Sequence, residues 1–177
     1  GSMSQGYIGY QLQQCLQDEL ERHKISKDCA TLITQVLVEP KDSAFQNPTK
    51  PIGMFYSKEE AEAIEKEKGY SFVEDSGRGY RRVVPSPKPM DILEKRVIRQ
   101  LVDNNVLVIA VGGGGIPVVK TDKIELLEGV AAVIDKDRSA ALLAREIDAD
   151  VLLILTAVDK VCLNYNTPEQ ITLDTLS

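Results

Sequence analysis

The sequence predicts an α/β protein, a three-layer αβα sandwich built on a mostly parallel sheet, with a small protruding α+β subdomain. Strand-like and helix-like patterns alternate through residues 93–156, which is the signature of a parallel sheet with helices on both faces. The apolar runs 106–111 and 151–155 lack the polar alternation of a half-solvated strand, as expected for strands covered on both sides. Between these patterns and the N-terminus, residues 40–84 change in character, and their polar, proline-punctuated composition predicts the subdomain. The expected division is therefore a protruding subdomain at 40–84, with 1–39 and 85–177 on either side of it forming the α/β main body.

The first element is an amphipathic helix in which Ile8, Leu12, Cys15, Leu16 and Leu20 recur at helical spacing. Ser26, Lys27 and Asp28 break it, and residues 31–38, rich in β-branched and apolar types, read as a strand ended by Glu39-Pro40. Residues 40–56 read as a loop. The series Ser57-Lys58-Glu59-Glu60 has the spacing of a capping box and starts a highly charged helix that stops near Gly69. Residues 70–74 and 80–84 flank Asp75-Ser76-Gly77-Arg78-Gly79 and predict a β-hairpin. Its Arg78, Arg81 and Arg82 could face a phosphate, although alternating charge on an exposed hairpin is the plainer explanation.

Three prolines in Pro85-Ser86-Pro87-Lys88-Pro89 remove donors and fix φ, so this stretch should be a stiff extended connector back to the main body. Asp91 can cap a helix carrying Ile92, Val97, Ile98 and Leu101, which ends at Asn104-Asn105 before the central strand. Asp137 likewise stands at the start of a helix through Ala141, Leu142, Ala144 and Ile147.

The central strand runs into Gly112, Gly113, Gly114 and Gly115. No Gly-Lys-Ser/Thr follows, which excludes a Walker loop, and Pro117 interrupts the immediate helix that a dinucleotide fingerprint needs. Backbone N–H groups in such a run can meet an anion, and a flexible connection is the competing reading. In parallel sheets ligands collect at the carboxyl ends of strands. The glycine run, Lys136-Asp137, and Thr156-Ala157-Val158-Asp159 after the 151–155 run are all candidates for that edge.

Composition narrows the function classes. A chain of 177 residues, 43% hydrophobic, can bury a substantial core. A net charge of −6 argues against general affinity for nucleic-acid backbones or anionic membranes. No apolar run approaches the roughly 20 residues of a membrane span and no signal-peptide pattern opens the chain, so a cytoplasmic location is expected. Cys15, Cys29 and Cys162 lack metal-ligand spacing and read as buried reduced thiols, and His23 in a polar run reads as a solvated helix end.

Several stretches together resemble carbamate kinases of the amino-acid kinase family: residues 3–10, residues 45–53 with Asn47-Pro48-Thr49-Lys50-Pro51, residues 77–89 with Val84-Pro85-Ser86-Pro87-Lys88-Pro89, the glycine run through Val118, residues 129–137, and residues 155–170. The two proline-rich segments belong to the subdomain that distinguishes carbamate kinases from acetylglutamate, aspartate and UMP kinases. The resemblance implies the amino-acid kinase fold and reversible phosphoryl transfer between carbamoyl phosphate and ADP, with Mg2+, in arginine catabolism. Under it, residues 1–39 would lie in the carbamoyl-phosphate lobe and 85–177 in the nucleotide-binding lobe. It also implies that Lys136 contacts nucleotide phosphates, that Asp137 orients catalytic lysines, and that Lys50 reaches the transferred group from the subdomain. Thr156, Ala157, Val158, Asp159, Tyr165 and Pro168 would line the nucleotide pocket, Gly112, Gly113, Gly114 and Gly115 would form the phosphate and substrate loop, and the enzyme would be a homodimer.

The chain departs from that pattern at Ala157, where Asp or Gly is common, and at Asn166, where Gly usually follows the tyrosine; both bear on the adenine contacts. The family's initial strand with its Gly-Gly-Asn loop and its later Gly-Ser-Met-x-Pro-Lys segment do not occur, so the chain is expected to be an internal portion of such an enzyme. Another amino-acid kinase, or a nucleotide-binding unit without catalysis, are the alternatives.

Overall fold

The computed structural model describes residues 1–75, 77–121, 126–156, 158–165 and 167–175. Helix α1 (Ser2–Arg22) opens the chain. It packs through Gln5, Gly9 and Gln13, one stripe at four-residue spacing, and leaves Ile8 and Leu12, 54% and 47% exposed, on a different face from the one their periodicity predicts. Close approach decides the outcome. A Cβ on Gly9 would stand 2.2 Å from Thr31 Cγ2. Thr31 Oγ1 donates to Gly9 O at 3.0 Å, and Thr31 N donates to Gln13 Oε1 at 2.8 Å. Cys15, on the outer side, is exposed and Cys162 half-exposed; of the three thiols only Cys29 is buried.

Residues 31–38 form two strands where one was expected: β1 (Cys29–Thr31) and β2 (Gln35–Val38) join different sheets. The break falls at Thr34, which is fully buried: its N–H donates to the Gln5 side chain, its hydroxyl donates to Leu32 O and accepts from Val111 N, and its carbonyl accepts from Ile116 N. After β2, a short 3₁₀ turn (Ser43–Phe45) leads to β3 (Lys50–Tyr56), so the stretch read as a loop carries regular structure. Its polarity and prolines are tolerated because β3 is an edge strand, paired among the described residues with β5 (Tyr80–Val84) alone and bulged between Ile52 and Tyr56. Between them lie α2 (Lys58–Lys68) and β4 (Ser71–Glu74). The capping box is formed by Ser57 and Glu60, and Gly69 closes α2 in the left-handed region at φ 66°.

The resulting sheet has the order β3-β5-β4. The turn connecting its hairpin includes Ser76, which lies outside the described residues. Arg78 and Arg81 both bridge to Asp75 and lie over the Phe55 ring, while Arg82 stacks 3.5 Å over Tyr70. These partners support the plain reading of the arginines. Asp42 ties the entry of this unit to its exit: its carboxylate accepts from Ala44 N at 2.8 Å and from Lys88 N at 3.0 Å.

The connector ends in β6 (Pro89–Ile92), an edge strand antiparallel to β2, and α3 (Lys95–Asp103) starts later than expected. Asp91 therefore does not cap α3; it pairs with Lys95 at 2.7 Å, and the capping position falls to Glu94. The chain continues through β7 (Leu107–Ile109), a turn at Gly112–Gly114, β8 (Ile116–Lys120), β9 (Leu127–Gly129) and α4 (Lys136–Glu146). It ends with a hairpin of β10 (Val161–Leu163) and β11 (Ile171–Leu173).

β1 pairs with β7 and β2 with β8 in parallel, and β6, β9 and both hairpins add antiparallel pairings. The structure thus has the expected α/β class, with mixed sheets in which the parallel β2-β8 pair lies at the centre of the four-stranded one. Among the described residues β7 pairs with β1 alone and is half-buried, not covered on both faces. Val36, Val38, Ile92, Ile98, Val111, Val119, Ile134 and Leu142 form the core between the β6-β2-β8-β9 sheet, α3 and α4. Fully burying Ile92, Ile98 and Ile134 contributes about 1.5–3 kcal/mol each.

The expected strand at 151–155 is absent: these residues belong to no helix or strand, with Val151 79% and Leu155 87% exposed. An apolar run becomes a strand only against a partner that takes up its backbone groups, and the described residues supply none. Among the described residues no helix is long and apolar enough to cross a membrane.

Candidate functional site

The glycine turn is the point where α1, β2 and α4 meet. Gln5 Nε2 donates to Gly112 O at 2.9 Å, Val111 N donates to Thr34 Oγ1 at 2.9 Å, and Ser139 Oγ donates to Gly114 O at 2.8 Å. Gln5, Thr34 and Ser139 are all buried. The turn also requires glycine at specific positions. At Gly114, φ is 95° and a Cβ would lie 2.3 Å from Ile134 O; at Gly115, φ is 90° and a Cβ would lie 2.2 Å from Val36 Cγ2. This is a fixed turn and not a slack connection.

Gly112 and Gly113 differ. They are exposed, and among the described residues their N–H groups donate to no acceptor, since the turn's own bonds run from Gly114 N to Val111 O and from Gly115 N to Gly112 O. A Cβ on Gly113 would meet nothing within 4 Å. Gly114→Ala should therefore cost about 3 kcal/mol or more, combining overpacking with a disfavoured φ, against about 1 kcal/mol for Gly113→Ala. Thermal melting should read this as a drop of at least about 6 °C for the first and about 2–4 °C for the second. Equal losses would mean that the turn does not need the space seen at Gly114.

Immediately after Ile134 comes Asp135, and here the expected cap is displaced by two residues. α4 starts at Lys136, and its cap is Asp135, whose Oδ1 accepts from Asp137 N at 3.0 Å and Arg138 N at 3.3 Å. Asp137 does not cap; it sits in the first turn beside Lys136, with Nζ and Oδ1 3.3 Å apart. Aspartate serves equally well at either position, so local spacing offers no reason to prefer Asp135.

Asp135 also binds Lys50. Nζ lies 2.7 Å from Oδ2, although Lys50 opens β3 and Asp135 caps α4, 85 residues later. The Lys50 ammonium, chiefly, and the two backbone N–H groups hold the Asp135 carboxyl below its ordinary range, with burial opposing them. A lowered folded-state pKa means that this contribution to stability is present above the usual carboxylate pKa and is lost as pH falls through the lowered value. The melting-temperature gap between the wild type and Asp135→Asn should thus be open at pH 7 and close below about pH 4. Both side chains are about one-third exposed, so the gap should also shrink in high salt; a gap independent of both conditions would exclude the ion pair as its source.

Gly113, Lys136 and Asp137 line one cleft of about 470 Å³ together with Leu152, Leu153 and Leu155. A second, smaller depression of about 260 Å³ lies under α1 and shares Gly113. The other expected nucleotide contacts are not gathered in. Thr156, Val158, Asp159, Tyr165 and Pro168 are exposed and line neither depression, and Ala157 lies outside the described residues, as does Asn166. Among the described residues no three acidic, His or Cys side chains converge on a metal position. Such a donor set suits a cation held mainly by the phosphates of a bound nucleotide, with Asp137 the carboxylate in reach of the cleft.

The amino acid kinase family profile matches residues 18–176 of this chain. The chain is 59% identical over 170 residues to a carbamate kinase of Clostridium perfringens, covering 96% of this chain and 54% of the relative. It is 59% identical over 177 residues to carbamate kinase 3 of Staphylococcus aureus, covering 100% and 57%. Among solved structures, carbamate kinase from Giardia lamblia bound to citric acid superposes with a TM-score of 0.85 at 48% identity, over 93% of this chain and 53% of that one. The same kinase bound to AMP-PNP gives 0.80 at 46% identity, over 98% and 54%. This chain spans about half the length of the curated relatives it matches.

Proposed function

The chain belongs to the amino acid kinase family, and from that premise we propose that it serves a carbamate kinase, which moves a phosphoryl group reversibly between carbamoyl phosphate and ADP to give ATP and carbamate. The carbamate then breaks down to ammonia and CO2. The observation that carries this reading is the 59% identity to carbamate kinases over all 177 residues, a span that takes in the glycine turn, Lys136-Asp137 and the sheet that bears Lys50.

Phosphoryl transfer proceeds through a loose transition state whose charge spreads over the equatorial oxygens, so the protein's task is to place cations and N–H donors around that charge. The free N–H groups of Gly112 and Gly113, the N-terminal end of α4 and the ammonium of Lys136 supply such groups on the main body. Lys50 brings another from the β3-β5-β4 sheet, which acts as a lid: closing over the cleft excludes water and delivers the cation. Asp137 holds lysine ammonium groups toward the phosphates. Thr156, Ala157, Val158, Asp159, Tyr165 and Pro168 take the nucleotide's adenosine; Asp137, lining the cleft, would be the carboxylate nearest a Mg2+ bound with ADP or ATP, which would supply neutralisation of phosphate charge. The working unit is a cytoplasmic homodimer with no nucleic-acid or membrane partner.

The decisive experiment offers the protein MgADP with carbamoyl phosphate, acetylglutamyl phosphate or aspartyl phosphate and follows ATP. Rapid formation from carbamoyl phosphate alone supports the assignment. Formation from another acyl phosphate assigns a different amino-acid kinase, and AMP-PNP binding without any ATP assigns a nucleotide-binding unit. Light scattering at micromolar concentration checks the dimer, which a monomer mass would rule out.

A further inference from the structure

We propose that Gln5 is a positioning residue for the phosphoryl site, fixing the Gly112-Gly113 peptide so that the Gly113 N–H is aimed at a bound phosphate. The inference rests on the phosphate-binding reading of the glycine turn given above and assigns that turn a fixed orientation set from helix α1.

Gln5 stands in α1, far in sequence from the turn, with its side chain 6% exposed. Every polar atom of its amide is used. Oε1 accepts from Thr34 N at 2.9 Å, and Nε2 donates to Gly112 O at 2.9 Å and to Thr34 O at 3.3 Å. The partners settle the orientation of the amide, since a backbone N–H can only donate and the two carbonyls can only accept. A glutamine is thus placed where β1 ends and β2 begins, taking the Thr34 N–H and sharing the Thr34 carbonyl with Ile116 N of β8, which donates to it at 2.9 Å. Stabilising the break between β1 and β2 would need only the Thr34 contacts. The additional bond to Gly112 O reaches into the turn itself.

That bond has a geometric consequence. The chain has no cis peptide bond among the described residues, and in a trans peptide the carbonyl and the following N–H point in opposite directions. Holding Gly112 O toward α1 therefore turns the Gly113 N–H away from it, at an exposed residue that lines the same cleft as Lys136 and Asp137. Gly112 O also accepts from Gly115 N at 3.2 Å, a bond internal to the turn, so the shorter bond from Gln5 is the one that ties this peptide to another element. With Gly113 at φ 66° and soft alternatives open to it, losing that tie leaves the peptide freer to reorient. Preorganised donors lower a barrier because they do not have to reorient during the reaction. Thr34 and Ser139 hold the peptides on either side, through Val111 N and Gly114 O, and neither touches Gly112.

The test follows the backbone amide of Gly113 by NMR in 15N-glycine-labelled protein on titration with magnesium AMP-PNP and with carbamoyl phosphate, beside turnover in the ATP-forming assay. In the wild type the Gly113 amide should shift downfield with one of these ligands. Gln5→Glu keeps the acceptor for Thr34 N and loses the donor to Gly112 O; Gln5→Met keeps the volume and loses both. Both variants should lose the Gly113 shift and fall about 10–100-fold in kcat, with KM for ADP changed less than about threefold, which is the pattern of an interaction realised in the transition state.

A wild-type Gly113 amide that ignores both ligands overturns the proposal. Variants that melt early but retain the Gly113 response and kcat reduce Gln5 to a scaffold residue and overturn it equally. If the wild type forms no ATP from any acyl phosphate, yet its Gly113 amide responds to AMP-PNP and Gln5→Glu abolishes the response, the kinase assignment falls and the positioning role stands.

Discussion

Lys50→Ala is expected to lower ATP formation from carbamoyl phosphate by about 10²–10³-fold while moving the melting temperature by no more than about 4 °C. The two parts of this expectation come from different magnitudes. In the resting protein Lys50 is half of an ion pair whose members are about one-third exposed, and such pairs are worth roughly 0–1 kcal/mol. In the transition state the same ammonium would face developing phosphoryl charge inside a closed, water-poor site, where one preorganised cation is worth several kcal/mol. Lys50→Arg separates charge from shape: it keeps the cation but replaces a point charge by a planar fork, and should recover only part of the rate. A Lys50→Ala enzyme with wild-type kcat and KM would remove the lid from the mechanism. A raised KM with kcat unchanged would leave Lys50 a binding group and no more.

What the sequence could disclose depended on whether the deciding interactions were local. The capping box at Ser57 and Glu60, the stop at Gly69 and the hairpin around Asp75 are settled within a few residues, and the structure has them where the pattern puts them. The split between β1 and β2 is settled by Gln5, which lies 29 residues from Thr34 and is an unremarkable polar residue in a helix. Helix α1 shows the same limit. Its apolar periodicity points to one face, but the space at Gly9 and the amides of Gln5 and Gln13 let another face approach β1. Residues 151–155 carry every local mark of a buried strand, and whether such a run becomes one depends on a neighbour that no local pattern can supply.

The candidate site was legible in part for the same reason. Glycines at 114 and 115 are dictated by contacts with Ile134 and Val36, yet they announce themselves as a run, so the turn could be read without knowing what it touches. Asp135 could not. In Ile134-Asp135-Lys136-Asp137 either carboxylate can begin the helix, and only the position of the first helical turn, a matter of one or two residues, decides between them. The Lys50 contact, 85 residues away, then gives Asp135 a second task that no spacing rule would find.

That division of labour makes a sharp comparison of two substitutions. Asp135→Asn retains a good helix cap and loses the charge that holds Lys50, so it should fold normally and lose no more than about tenfold in turnover, the equivalent of an exposed ion pair. Asp137→Asn gives up nothing structural: the side chain is half-exposed and caps nothing, and its Oδ1 meets only the neighbouring ammonium of Lys136. Its charge has no partner in the fold that stability requires, but it stands in the cleft with Lys136 and Gly113, where a carboxylate can hold ammonium groups against the repulsion they feel from one another. Asparagine matches its shape and not its charge. Asp137→Asn is therefore expected to keep the wild-type melting temperature within about 2 °C and to lose turnover by about 10²–10³-fold, far more than Asp135→Asn. Steady-state ATP formation by the two variants, measured beside their melting curves, decides the matter. If Asp135→Asn proves the more damaged, the carboxylate that organises the lysines is the helix cap itself, and Asp137 is a solvated surface charge.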